Sequence, residues 1–295
     1  MNTWTETLRT FGIITVELVV LFLAISFVVA LLNRKLGPTR IQSWLTGGRV
    51  IGPLKGASLG ALTPFCSCST LPMLVGMLKA GVPFATATAF LVASPLLNPI
   101  IIGAVGLLFG WSIAAGYGVV TFLGTLLVAA LWDRLGLQKY LKKFRVEGEH
   151  TTSQPWAGMR AEAPGAWRQA LADFRPLVVP MLLGVTIGAV IYGSVPESFM
   201  ATVAGPDNPL AIPVAAIIGI PLYVRAEAAL PIGVALTTAG VGLGPVFALI
   251  IGGAGASIPE VSMLSALFKP RLLIAFLVSI LTVAIAGGFL IPLFT

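Results

Sequence analysis

The chain has 295 residues, of which 57% are hydrophobic and 10% charged, with a mean hydropathy of +0.98. That balance lies outside the range of soluble globular domains and inside that of polytopic membrane proteins. The formal net charge of +7 does not signal nucleic acid: five bases lie from Arg34 to Lys55 with no acid among them, and eight from Arg134 to Arg175, which is the basic bias of cytoplasmic membrane-protein loops.

The apolar run over 12–33 is long enough to span a bilayer and ends in Asn33-Arg34-Lys35 with no small-residue cleavage site after it, so it reads as a retained first helix. Glu17 lies about a turn inside it and suits a solvated or packing role. A basic stretch containing Trp44 then lies at the cytoplasmic interface.

Next comes LTPFCSCSTLP, from Leu62 to Pro72, which holds both cysteines of the chain. Pro64 and Pro72 each lack an amide donor, and bare backbone is tolerated at membrane depth only where protein or a water-filled cavity satisfies it. Lys79, at the far end of this tract, belongs on the side where Lys55 already lies. The tract from about 57 to 80 is therefore expected to be a re-entrant hairpin that turns at Cys-Ser-Cys.

The tract from Phe84 to Trp111 crosses outward, interrupted at ASPLLNP (93–99), where Ser94, Pro95, Asn98 and Pro99 break the helix and offer hydroxyl and amide groups. A helix over about 112–132 returns to a basic loop over 136–171. His150, the single histidine, lies in that loop and reads as an ordinary solvated residue.

The second half, 172–295, repeats the first, 1–135. Shifted by 159 positions, Leu71-Pro72 falls on Leu230-Pro231 and Gly81 on Gly240, and the helices at 12–33 and 112–132 fall on apolar runs near 177–194 and 271–292. Cys66 and Cys68 fall on Arg225 and Glu227, so GIPLYVRAEAALP, in a second hairpin over about 210–240, is the counterpart of GALTPFCSCSTLP. An odd number of crossings per half requires opposite orientation of the two halves. The charge map agrees: connectors at 195–209 and 237–245 have no Lys or Arg, and of the 18 bases all but Arg9 and Arg225 fall on the cytoplasmic side. The expected fold is an all-α polytopic membrane protein with an inverted-topology repeat, roughly six full spans and two re-entrant hairpins meeting near the midplane. Both termini are expected outside the cytoplasm.

On an extended segment, Cys66 and Cys68 lie on one face, and two soft thiolates there suit copper(I), zinc or a trivalent arsenic carrying one organic group; alternatively they cycle between thiol and disulfide. The plainer reading is of small buried apolar side chains. Arg225 and Glu227, ionised in an apolar tract, mark a pathway or form a salt bridge that fixes the second hairpin. Glu260, in GGAGASIPE, is a candidate coupling carboxylate or a residue that reaches water near the helix end. No G-x-x-x-x-G-K-[ST], dinucleotide fingerprint or H-E-x-x-H is present, so ATP use, metallohydrolase chemistry and a bound cofactor or metal are not expected, and the chain does not read as an enzyme.

At TPFCSCSTLPMLVGMLKAGVP, ASPLLNP, IPLYVRAEAALPIGVAL and GGAGAS the sequence resembles the predicted-permease family that contains the YraQ-like proteins and the ArsP-type organoarsenical efflux permeases. The resemblance covers both halves. It implies a bacterial inner-membrane permease, trivalent organoarsenicals as a substrate class, and Cys66 and Cys68 as binding groups. Members tied to arsenicals carry a further cysteine in the PLYV block, where this chain has Arg225 and Glu227.

The expected function is a permease moving a soft, thiol-reactive or thiol-containing small solute outward across a lipid bilayer, with Cys66, Cys68, Arg225, Glu227, Ser94 and Asn98 at the solute and Glu260 in coupling. The alternative is a thiol-disulfide oxidoreductase working with a thioredoxin-like partner. A homo-oligomer is compatible with either.

Overall fold

The computed structural model describes residues 38–63, 67–142, 158–175, 210–222 and 240–294 continuously, with single positions between 12 and 35, 178 and 183, and 233 and 238; for 38–41, 67–69, 173 and 222 it describes the backbone only. The described elements are helical apart from one bridge between extended residues, Leu141 and Phe268. In chain order they are α1 (Pro38–Leu45), α2 (Gly48–Leu62), α3 (Ser67–Lys79), α4 (Phe84–Leu96), α5 (Pro99–Phe109), α6 (Trp111–Arg134), α7 (Met159–Phe174), α8 (Ala211–Leu222), α9 (Leu243–Gly255), α10 (Ile258–Leu267) and α11 (Pro270–Leu290). The described positions between 12 and 35 are helical as well, as the first apolar run predicts. The run near 177–194 and the connector at 195–209 lie largely outside the described residues.

Among the described residues four stretches are long and apolar enough to cross a membrane: Phe84–Phe109, Trp111–Arg134, Leu243–Leu267 and Pro270–Phe294. Two of the four, α4–α5 and α9–α10, are broken at their middle. The expected interruption in 93–99 falls at Leu97-Asn98: Ser94 and Pro95 remain inside α4, whose helix ends where Asn98 and Pro99 begin the next one. A proline at the first helical position costs nothing, since its amide would have no intrahelical partner there.

The described elements recur at the spacing of 159. Phe84–Leu96 maps onto Leu243–Gly255 at both ends, and the starts of α5 and α6 map onto those of α10 and α11. The turn before each broken helix is the same. Gly81 (φ +76°) donates to Leu78 O at 3.1 Å and Val82 to Met77 O at 3.0 Å; Gly240 (φ +92°) donates to Thr237 O at 3.1 Å and Val241 to Leu236 O at 3.0 Å. Only glycine adopts this left-handed cap without penalty.

Close packing repeats too. α2 runs parallel to α4, with Gly52 against Thr86 and Gly60 against Phe90, Ala93 and Ser94. α8 runs parallel to α9, with Ala216 against Gly252 and Gly219 against Leu249 and Gly253. A β-carbon at Gly60 would lie 3.0 Å from Phe90 O and 3.0 Å from Ser94 N; one at Gly219, its counterpart, would lie 2.5 Å from Leu249 O and 3.0 Å from Gly253 N.

α6 and α11 pack antiparallel. Ser112 Oγ donates to Phe294 O at 2.5 Å at one end, and Trp132 Nε1 donates to Ser279 Oγ at 3.0 Å near the other. Between them, a β-carbon at Gly124 would meet Val283 Cγ1 at 3.1 Å, and these two residues are 159 apart. Leu96 and Gly255 are likewise counterparts, with Leu96 Cδ2 3.2 Å from a β-carbon at Gly255.

Charge gathers at one end of the α6–α11 pair. Lys142 N donates to Leu267 O and Lys269 N to Tyr140 O, each at 2.9 Å, clamping the end of α6 to the α10–α11 connection. Arg271 Nη1 donates to Tyr140 OH at 3.1 Å, and this bond, more than the nearby charges, holds the Tyr140 phenol below its usual value of 10.0. A depressed folded value adds stability only above the unfolded one, and that addition is lost as pH falls through the folded value. The effect is therefore confined to alkaline solution. In Arg271→Gln, ultraviolet titration of the phenolate, taken as a difference against Tyr140→Phe, will show Tyr140 ionising at higher pH than in the parent.

Candidate functional site

Four lines of structure converge on the level of the two helix breaks. α2 descends from the end to which Lys55, midway along it, reaches back by donating from Nζ to Trp44 O at 2.7 Å, and ends at Leu62; Thr63 is extended (φ −97°, ψ 118°), and its Oγ1 donates to Leu59 O at 2.9 Å in the last turn. Since Gly60 stands against Ala93 and Ser94, the end of α2 lies about one turn further on, level with Leu97-Asn98. α3 then restarts at Ser67 and returns to Lys79 and Gly81, where Gln42 Nε2 donates to Gly81 O at 3.0 Å and so ties both ends of the α2–α3 pair to the same side. At 15 and 13 residues these helices extend only about 20 Å, short of a hydrocarbon core about 30 Å thick.

This differs from the expectation for the cysteine motif in one respect. Cys68 lies on helical backbone, since α3 begins before it. Pro72 removes only the amide that would bond the Cys68 carbonyl, so the helix persists around it. Cys66 lies outside the described residues, as do Arg225 and Glu227, and the Cys68 side chain is likewise outside the description.

The first break is closed by its own residues. Asn98, 7% exposed, caps α5 by accepting from Ile100 N at 2.9 Å. Tyr117, fully buried on α6, donates its hydroxyl to Leu96 O at 2.7 Å and so satisfies a carbonyl at the end of α4. Ser94 Oγ, also fully buried, has no hydrogen-bond partner among the described residues. A buried hydroxyl left so costs about 1–3 kcal/mol.

The second break is built differently. Ser257 stands at the Asn98 position and makes no side-chain cap bond, while Phe276, at the Tyr117 position, has no hydroxyl. Glu260 occupies the first turn of α10 and is fully buried; its counterpart in α5 is Ile101. The positive end of the helix dipole favours a carboxylate at that place. α10 packs directly on α3, so the helix bearing Glu260 touches the helix bearing Cys68. The structure thus joins three of the sequence-predicted groups, Ser94, Asn98 and Glu260, to the breaks. Tyr117 was not anticipated; its one signal was a phenol inside an apolar helix, which needs a partner when buried.

Membrane-length helices broken at their middle, with polar side chains buried at the breaks, define a polytopic membrane protein of the transporter kind. The chain belongs to the predicted-permease family ArsP_1, whose model matches residues 3–293. Among curated relatives it is similar to UPF0718 protein YraQ of Escherichia coli K12 (28% identity; 79% of this chain, 66% of the relative). It is similar to UPF0718 protein YcgR of Bacillus subtilis (23%; 82% of each chain). A third relative is a putative two-component membrane permease complex subunit of Streptococcus mutans (25%; 82% of this chain, 80% of the relative). No solved structure matches.

Proposed function

We propose that the chain is a secondary permease of inverted-topology repeats, 1–135 and 172–295, joined by the loop at 136–171, with a re-entrant hairpin in each half. The observation that carries this reading is the antiparallel contact of counterpart residues, Gly124 with Val283 and Leu96 with Gly255, beside two mid-helix breaks. Half-helix ends at mid-membrane are where secondary transporters bind solute and coupling ion.

The solute is a soft, thiol-reactive species such as a trivalent organoarsenical, taken up at the tip between α2 and α3 by Cys66 and Cys68. Each exchange forms one As–S bond and breaks one As–O bond, the thiol proton leaving with hydroxide as water. No electrons are transferred. Ser94 and Asn98 line the first break, Arg225 and Glu227 face it from the second hairpin, and Glu260 couples transport to an ion. Transport runs outward across a bacterial inner membrane, with both termini periplasmic and the basic end of α6–α11 cytoplasmic.

The test is uptake of methylarsenite into everted membrane vesicles. The parent chain will accumulate it, and Cys66→Ser/Cys68→Ser will fall to the level of vesicles lacking the protein while inserting normally. Equal uptake by the double variant would remove the thiols from the mechanism. Absence of uptake by the parent would remove the solute class and leave the permease reading to other substrates.

A further inference from the structure

The basic end of α6–α11 has a second feature beyond its sidedness. Arg134, in the last turn of α6, Lys139, Lys142, Lys269 and Arg271 all lie at this end, and within 133–142 and 267–271 the single carboxylate is Asp133. Backbone bonds of 140–142 with 267–269 hold like charges from the two halves together. Lys139 Nζ and Arg271 Cζ both lie near the Tyr140 ring, 5.2 and 5.5 Å from its centroid. Lys142 Nζ donates to Ser265 O at 2.6 Å. Fixing cations side by side costs repulsion that an external anion relieves. At the opposite end of the same pair Ser112, Gly116 and Phe294 meet, none of them ionisable.

The side chains beneath the charges identify the anion. Arg134 shares a helix face with Leu127 and Leu131, seven and three residues earlier, which are 71% and 52% exposed. Arg271 shares one with Ile274 and Val278, 60% and 56% exposed. Each cation therefore caps a stripe of exposed apolar side chains, the arrangement that matches a charged headgroup above acyl chains. A soluble anion would have no use for the stripes, and a zwitterionic lipid none for cations that outnumber the carboxylates among the described residues of this end.

We propose that this end of α6–α11 is a binding site for an anionic phospholipid, whose phosphate sits among Arg134, Lys139 and Arg271 and whose chains follow the two stripes. Clusters of basic residues at the end of a membrane helix attract anionic lipid at each charge. The site joins the α6 end to the α10–α11 connection, so bound lipid also reinforces the clamp between the halves.

The test is thermal unfolding of the full chain in detergent with added phosphatidylglycerol, phosphatidylcholine or glycerol 3-phosphate. Saturating phosphatidylglycerol should raise the midpoint by about 5 °C, phosphatidylcholine and glycerol 3-phosphate by much less. In Arg134→Gln/Lys139→Gln, which leaves the Arg271–Tyr140 bond in place, the difference between the two lipids should vanish. Leu127→Gln/Leu131→Gln, exposed on the stripe, should reduce it as well. Equal responses to both lipids, full protection by glycerol 3-phosphate, or an undiminished difference in the charge variant would each overturn the proposal.

Discussion

Gly219→Ala will destabilise the protein, whereas Gly118→Ala will not, although in a helix interior alanine is intrinsically better than glycine by about 1 kcal/mol. At Gly118 nothing lies within 4 Å of an added β-carbon, so the intrinsic gain stands alone. At Gly219 the methyl would lie 2.5 Å from Leu249 O, a backbone atom that no rotamer change can move aside. α8 and α9 must then separate along one of the two most extensive helix contacts among the described residues. Overpacking of this kind costs about 1–3 kcal/mol, enough to reverse the propensity gain. Gly60→Ala should act in the same direction but less strongly, since its nearest atoms stand at 2.9–3.0 Å and include the Ala93 methyl group. Unfolding midpoints of the three variants in detergent check the order. If Gly219→Ala were as stable as Gly118→Ala, the close approach of α8 and α9 would be wrong.

That pair of glycines also shows what was readable in advance. The matching turns at Gly81 and Gly240 were legible because turn chemistry is local: a left-handed cap needs glycine, and each follows a Leu-Pro pair, Leu71-Pro72 and Leu230-Pro231, at the same distance. The close approaches at Gly60 and Gly219 were not, since both lie in tracts where glycine is common and only the neighbouring helix reveals why a side chain is excluded. The same limit hid Tyr117, whose partner is a carbonyl 21 residues away. The interruption in 93–99 was placed in the right tract, but two prolines there, Pro95 and Pro99, made its position ambiguous from sequence. Pro95 is tolerated inside the last turn of α4, and Asn98, which caps α5, decides the break. For the cysteines, flanking prolines pointed to an extended segment, yet a helix accepts Pro72 at the loss of one bond and begins at Ser67.

Glu260 separates structural from functional polarity most sharply. A carboxyl wholly excluded from solvent inside a membrane-length segment is expensive, and such groups usually serve a pathway. The matching position at the first break is apolar: Ile101, 159 residues earlier, lies in the first turn of α5 and is 3% exposed. Glu260→Ile therefore places at the second break the side chain already packed at the matching position of the first. Transport should nevertheless collapse. On the coupling role proposed here the loss will be in driven accumulation, so that vesicles of the variant equilibrate solute across the bilayer without concentrating it. Glu260→Gln, which keeps the shape, should behave alike in transport. A variant that concentrates solute like the parent would remove Glu260 from coupling. One that unfolds several degrees earlier while still concentrating solute would assign the carboxyl to holding α10 against α3 instead.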